Sequence, residues 1–126
     1  MSVGDRLPNQ VNLSVLKKLA LFIQKEINIL IDHYVKDSQK LMEKLKVHIT
    51  NADLKHIQRT VRDLRQSSQE IGAMQFSFLL LSLEIAVSEY RVREWQPAYN
   101  KIEQYYNWVI DELATIRGTP SSILVK

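Results

Sequence analysis

The sequence predicts an all-α protein, and three observations favour that class over a β or mixed fold. The chain of 126 residues contains three Gly and three Pro, and none of them lies between residues 9 and 71. A many-stranded fold would need turn residues throughout that stretch. Apolar residues recur instead at steps of three and four, which is the spacing of one face of a helix. The length suits one domain rather than two.

The predicted helices follow one another with short links, so we expect an antiparallel up-down-up-down four-helix bundle. A short extra N-terminal helix is predicted from about residue 12, although no breaker residue marks its end. It carries Leu13, Leu16 and Ala20 on one face. A longer helix is predicted to follow and to end near residue 49. Its core-facing side chains are Ile31, Val35, Met42, Leu45 and Ile49, with Ser38 filling the gap.

The second bundle helix is predicted to begin at Asn51–Asp53, where N-cap residues occur, and to stop at Gly72. Its heptad seam comprises Leu54, Ile57, Val61, Leu64, Ser68 and Ile71. The third helix spans about 73–90 and is apolar on nearly all sides, so we expect it to be the most buried. The last helix spans about 94–117, with Pro97 in its first turn. One helical domain over 12–117 thus lies between an irregular arm, 1–11, and a tail, 118–126.

Composition excludes several classes of function. The chain has no Cys, which excludes a disulfide framework, an iron–sulfur cluster, a thiolate zinc site and a Cys nucleophile, and which suits the cytoplasm. Seventeen basic and 14 acidic residues leave a formal charge of +3, too little to indicate a nucleic-acid partner. No apolar run approaches the ~18–20 residues of a membrane span. We therefore expect a cytoplasmic monomer without nucleic-acid or membrane partners.

Neither a metal nor a cofactor is expected. The three histidines, His33, His48 and His56, do not form the Glu-x-x-His pattern that di-metal helix bundles use. No Gly-rich phosphate loop is present. Ser67 and Ser68 have no neighbouring base, so we interpret them as small residues at a helix crossing. The chain is therefore not expected to be an enzyme.

One segment resembles a known family. The stretch from Thr60 to Ala73, TVRDLRQSSQEIGA, resembles the signature A-H-x-L-K-G-S-S-x-x-I-G-A of histidine-containing phosphotransfer (HPt) domains. Seven positions match: Leu64, Arg65, Ser67, Ser68, Ile71, Gly72 and Ala73. Tyr34 to Ser38 resembles the F-L-x-D-A segment of the family's preceding helix, and the likeness extends over about residues 22–116. The resemblance implies a four-helix bundle that exchanges phosphoryl groups with receiver domains in a phosphorelay.

Two departures from that signature concern its chemistry. Arg62 stands where the family has the phosphoacceptor His, and Gln66 stands where it has the following Gly. A guanidinium remains protonated at physiological pH and has no free lone pair to accept a phosphoryl group. The chain therefore resembles an HPt domain without the transfer step, a non-catalytic module of two-component signal transduction.

The same helix carries a basic face that could bind a partner. Heptad positions place six polar side chains toward solvent: Lys55, Arg59, Arg62, Arg65, Gln66 and Gln69. We name these six residues the α2 stripe. Receiver domains, as the resemblance implies, present an acidic pocket around their phosphorylatable Asp. Charge complementarity assists encounter and orientation, so we expect the α2 stripe to bind a receiver domain of a response regulator or hybrid kinase.

Two alternatives stay open. The chain could be a helical adaptor that binds an unrelated protein through the tail Ile123-Leu124-Val125 and the aromatic residues Trp95, Tyr105 and Trp108. It could instead be an active phosphotransfer protein that uses a different His. His56 lies six residues before Arg62 and so points to another side of the helix, while His33 and His48 lie on the preceding helix.

Overall fold

A computed structural model describes residues 12–118, and this part of the chain is all-helical. Four α-helices occur in it: α1 at Leu13–Thr50, α2 at Leu54–Glu70, α3 at Met74–Ser88 and α4 at Trp95–Gly118. A 3₁₀ turn at Val92–Glu94 leads into α4. The described residues contain no β-strand, which confirms the predicted fold class. The predicted arm, 1–11, and the tail beyond Gly118 lie outside the described residues.

The first helix is longer than predicted. The expected short N-terminal helix and the helix after it are one continuous element of 38 residues. Its sequence contains neither Gly nor Pro, so no residue interrupts the hydrogen-bond ladder. Asn12 caps its N-terminus by accepting a hydrogen bond from the Val15 N–H at 3.1 Å. The prediction of a separate extra helix is therefore wrong, because the 3–4 periodicity continues across the proposed boundary.

Short links connect the helices, and each contains one residue in the left-handed region. These residues are Ala52, Gly72 and Tyr90, with φ of 52°, 86° and 57°. In every link the N–H of the next residue donates to the carbonyl five positions earlier, at 2.8–2.9 Å. This is the long bond of a Schellman motif, which satisfies carbonyl groups at a helix end. Glycine adopts this φ easily, whereas Ala52 and Tyr90 do so at a cost.

All four helices contribute to one hydrophobic core. Leu64 and Leu80, predicted to be buried, have no exposed surface. The other fully buried apolar side chains are Leu45, Ile57, Val61, Phe76, Leu83, Val87 and Ile102. A smaller cluster joins α1 to the end of α4 through Ile31, Tyr34 and Leu113, with Ile27 and Ile71 partly buried against it. The predicted seams of α2, α3 and α4 therefore supply most of the core.

Hydroxyl pairs join the helices inside the core. A 2.8 Å hydrogen bond links the Tyr34 hydroxyl on α1 to Ser68 on α2, and a 2.7 Å bond links Ser38 on α1 to the Tyr106 hydroxyl on α4. Burial is the main influence that raises the pKa of Tyr34 to about 12, and it also raises the pKa of Tyr106. Among the described residues every buried side-chain nitrogen or oxygen has a partner.

No helix among the described residues has the length and apolar content to cross a membrane.

Candidate functional site

Arg62 is exposed on the outer surface of α2. Its side chain keeps 67% of its surface accessible, and its Nη2 lies 3.9 Å from a carboxylate oxygen of Glu84 on α3. Its side chain faces solvent because Val61 and Leu64, which flank it in the heptad pattern, are fully buried on the opposite side of α2. The position that bears the imidazole in the HPt signature is thus accessible to a macromolecule, but it presents a guanidinium.

Arg65 differs from the other basic residues of the α2 stripe. It is only 26% exposed, and its Nε and Nη2 bind Glu84 at 3.1 and 3.0 Å. This two-point contact orients the guanidinium along the α2–α3 boundary rather than freely toward solvent. The sequence placed Arg65 wholly on the solvent side. It could not show this pair, because Glu84 lies 19 positions later on another helix.

The remaining α2 stripe residues lie in the open. Lys55, Arg59, Gln66 and Gln69 are exposed on the same face of α2 as Arg62. Neither Lys55 nor Arg59 has an ion-pair partner among residues 12–118. The stripe therefore presents two unpaired cations, one loosely paired cation at Arg62 and one closely paired cation at Arg65.

An apolar ridge on α3 runs beside the α2 stripe. Met74, Phe78, Leu81 and Ile85 follow steps of four, three and four, and we name them the α3 ridge. Phe78 is 67% exposed, Met74 and Ile85 are also exposed, and Leu81 is half-buried. As expected, α3 has the largest share of buried residues of the four helices, but it is not covered on this side. Only one face of α3 packs on its neighbours, while the opposite face carries apolar side chains into solvent.

Glu84 lies between the two surfaces, since it pairs with the stripe and belongs to the helix of the ridge. Its side chain is 19% exposed. Sequence reasoning missed the ridge and Glu84 as site residues. For the ridge a signal existed, because α3 has apolar residues at positions that the bundle seam does not need. Cationic and apolar surfaces are thus contiguous across α2 and α3.

The serine pair of the signature has structural contacts. Ser68 is fully buried and bonds Tyr34, while the Ser67 hydroxyl donates to the Leu64 carbonyl at 3.1 Å. Neither serine faces a general base in these contacts. Both fit the interpretation of small polar residues at a helix crossing.

The histidines lie away from Arg62. His33 Nε2 is 3.0 Å from Asp37 on α1, and His56 Nδ1 is 2.7 Å from the N-cap residue Asp53. The rings of His48 and His56 lie 5.1 Å apart near the α1–α2 link. Within residues 12–118 no group of three or more His, Asp or Glu side chains could hold a metal ion.

The aromatic candidates of the adaptor interpretation are distributed over core and surface. Trp95 is buried and donates from Nε1 to the Ala86 carbonyl at 3.2 Å. Tyr105 is half-buried, with its ring 4.8 Å from that of the exposed Trp108. The tail Ile123-Leu124-Val125 lies outside the described residues.

No protein-family model matches the chain, and no curated protein or solved structure is significantly similar to it.

Proposed function

We propose that this protein is a non-catalytic HPt-like signalling module that binds receiver domains of a two-component phosphorelay without accepting phosphoryl. The observation that carries the proposal is the exposed Arg62, which occupies the acceptor position of the signature on an accessible helix face. Because a guanidinium lacks a nucleophilic lone pair, this surface can bind a partner but cannot form a phosphoramidate. The proposed location is the cytoplasm.

The proposed architecture is the antiparallel up-down-up-down bundle of that family. Contacts between the helices support it. His48 near the end of α1 lies beside His56 near the start of α2, whereas Tyr34 lies beside Ser68 near the end of α2. Ser38 and Asp32 of α1 likewise contact α4 at Tyr106 and Arg117 respectively. By these contacts α1 is antiparallel to α2, and α1 is also antiparallel to α4.

The contiguous stripe and ridge support a protein partner. Stable interfaces combine an apolar centre with a polar rim, and they are enriched in aromatic residues and Arg. Phe78 and Ile85 supply apolar surface, and Arg59 and Arg62 supply charge beside it. An acidic receiver pocket would meet the cations, while apolar side chains around that pocket would cover the α3 ridge. Cations steer the encounter, and the ridge supplies most of the affinity.

The test is binding of a panel of receiver domains to the full chain and to matched variants. Arg62→Glu and Phe78→Asp should each weaken binding at least tenfold, which corresponds to about 1.4 kcal/mol. Controls with the same changes elsewhere are Lys101→Glu on α4 and Val47→Asp on the outer side of α1, both at exposed positions. Binding by the two controls should equal that of the parent chain. Equal binding by all four variants would contradict the proposal.

Salt dependence separates the roles of the two surfaces. Charges on the stripe are screened over about 8 Å at physiological ionic strength. Raising the salt concentration should lower the association rate of a receiver with the parent chain. It should change the association rate with Arg62→Glu much less. Phe78→Ala should act mainly on dissociation, since it removes apolar contact without changing the charge of this face.

The runner-up functions predict different outcomes. An adaptor for an unrelated protein would bind no receiver in the panel. An active phosphotransfer protein would become labelled, and His56 is the best-placed imidazole for this because Asp53 engages Nδ1. Loss of such a label in His56→Gln would establish that alternative.

A further inference from the structure

The core-facing seam of α1 continues past the bundle. Leu13, Leu16, Ala20, Ile23 and Ile27 follow steps of three and four that lead directly to Ile31 of the small core cluster. At 100° per residue all of them lie on the side of α1 that faces the bundle core. We name residues 13–26 the α1 extension. It is 14 residues long and therefore measures about 21 Å.

Most of the α1 extension is uncovered within the described part of the chain. Leu13, Leu16 and Ile23 of the seam are 67%, 41% and 46% exposed, although Ala20 is buried. Leu19 beside the seam and Phe22 on the opposite side of the helix are also exposed. Isolated exposed apolar residues are ordinary, but a contiguous helical face of this size indicates an interaction surface.

A groove opens at the same end of the bundle. The start of α3 and the last turns of α4 enclose about 860 Å³, lined by apolar side chains that include Met74, Trp108 and Ile116. Ile71 and Leu113 line this groove and also belong to the cluster around Ile31. The groove and the α1 extension therefore meet at one cluster. We name it the end groove.

Their charges are complementary. The α1 extension carries Lys17, Lys18 and Lys25 against one acidic residue, Glu26. The end groove has Asp111 and Glu112 in its lining and neither Lys nor Arg. An apolar helix with a basic flank thus matches an apolar groove with an acidic flank.

We propose that two copies of the chain form a two-fold dimer in which the α1 extension of each copy occupies the end groove of the other. Such an interface is self-complementary and closes at two copies, because each copy uses both of its surfaces. The proposal replaces the sequence-based expectation of a monomer and is independent of receiver binding.

The buried area suits a second copy as the occupant. Covering half of a helix about 21 Å long and 10 Å wide buries roughly 350 Å², so the extension and the groove together bury roughly 700 Å² per copy, near the ~800 Å² of a standard interface.

Sedimentation equilibrium of the full chain tests the proposal. The parent chain should be a dimer at tens of micromolar. Ile23→Glu in the extension and Trp108→Glu in the groove should each weaken dimerisation at least tenfold. Val47→Glu is the matched control, since Val47 is an exposed apolar residue of the same helix outside both surfaces. Circular dichroism should show equal helix content in all variants.

A mixing experiment tests the reciprocal geometry. A heterodimer of Ile23→Glu and Trp108→Glu retains one intact extension–groove contact, whereas each variant homodimer retains none. An equimolar mixture should therefore dimerise more tightly than either variant alone. A monomeric parent chain at 100 μM, whether or not it binds anionic vesicles, would overturn the proposal. A mixture no tighter than the tighter of the two variants would overturn it as well, since the heterodimer would then gain nothing from its one intact contact.

Discussion

Arg62 and its neighbours determine which chemistry the proposed site can perform. Two other side chains lie close to that position, namely Gln66 one turn along α2 and Glu84 across the helix boundary. Gln66 would stand beside an imidazole placed at position 62, and the carboxylate of Glu84 would repel an incoming phosphoryl group. Replacing the arginine alone would therefore leave two obstacles in place.

Stepwise restoration of the acceptor tests this account. Arg62→His should accept little phosphoryl from a phosphorylated receiver, and Arg62→His/Gln66→Gly should accept more. Adding Glu84→Gln should raise labelling further, because it removes a repulsive charge and releases Arg65 to bind the phosphoryl oxygens. The measurement is acid-labile label on the chain after a fixed time. Equal labelling of the single and double variants would show that Gln66 is no obstruction.

The hydroxyl pair Tyr34–Ser68 is the second residue-scale feature, because it links α1 to α2 inside the core. Tyr34→Phe should cost about 1–3 kcal/mol by leaving the Ser68 hydroxyl buried without a partner, and Ser68→Ala should cost a similar amount. The double variant should lose less than the sum of the two, since no polar group remains unpaired. Urea unfolding of the four proteins measures this coupling. Strictly additive losses would contradict the role of the bond.

The same pair has a pH dependence of known sign. Burial raises the pKa of Tyr34 to about 12, above its ordinary value of 10.0. The stability that the buried, protonated Tyr34 contributes is fully present below pH 10. It is lost as the pH rises toward 12, because tyrosine ionises at a lower pH in the unfolded chain than in the folded one. The free energy of unfolding of the parent chain should fall over that pH range, and that of Tyr34→Phe should fall less.

At the scale of the elements, the three links show how backbone conformation and residue type can disagree. Gly72 suits its left-handed φ, whereas Ala52 has almost the same conformation with a Cβ atom. A Cβ added at Gly72 would meet no atom within 4 Å, so its cost would come from the backbone rather than from a clash.

We therefore expect opposite effects from exchanging these two residue types. Gly72→Ala should lower the free energy of unfolding by about 1–2 kcal/mol. Ala52→Gly should raise it by about 0.5 kcal/mol, because relief of strain is partly offset by the greater freedom of glycine in the unfolded chain. Urea denaturation of both variants measures the difference. A loss of stability in Ala52→Gly would contradict the assignment of strain.

Helical periodicity predicted the elements well where it coincided with a breaker or cap. The seam of α2 and its start at Asp53 followed from the sequence, and Gly72 marked the link after it. The continuity of α1 was missed although the sequence held a signal for it, since residues 13–50 contain neither Gly nor Pro and their 3–4 pattern is unbroken. The links near 50–53 and 90–94 were also predicted, but the left-handed conformations of Ala52 and Tyr90 were not, since neither residue type is a turn signal.

At the scale of the whole molecule, the sequence predicted which residues fill the core better than which residues form the surface. Fully buried Leu64 and Leu80 followed from the seams, because one face of each helix has to be covered. The α3 ridge and the Glu84–Arg65 pair depend on where two helices lie relative to each other. Periodicity within one helix carries no information about that arrangement.

The two proposed surfaces can be used at the same time. The end groove lies at the α2–α3 link and the last turns of α4. Arg62 lies on α2 well before that link, and Ile85 lies on α3 well after it. Met74 is the one residue shared by the α3 ridge and the end groove. A dimer formed through the α1 extension would therefore leave Arg62 accessible on both copies.

The central claim is that the chain binds a receiver without taking its phosphoryl group, and a single labelling measurement addresses both halves. A receiver carrying radiolabelled phosphate is mixed with the full chain and separated on native and denaturing gels. We expect the label to move into a complex on the native gel and to remain on the receiver band on the denaturing gel. Acid-labile label on the chain, or no complex with any receiver tested, would contradict it.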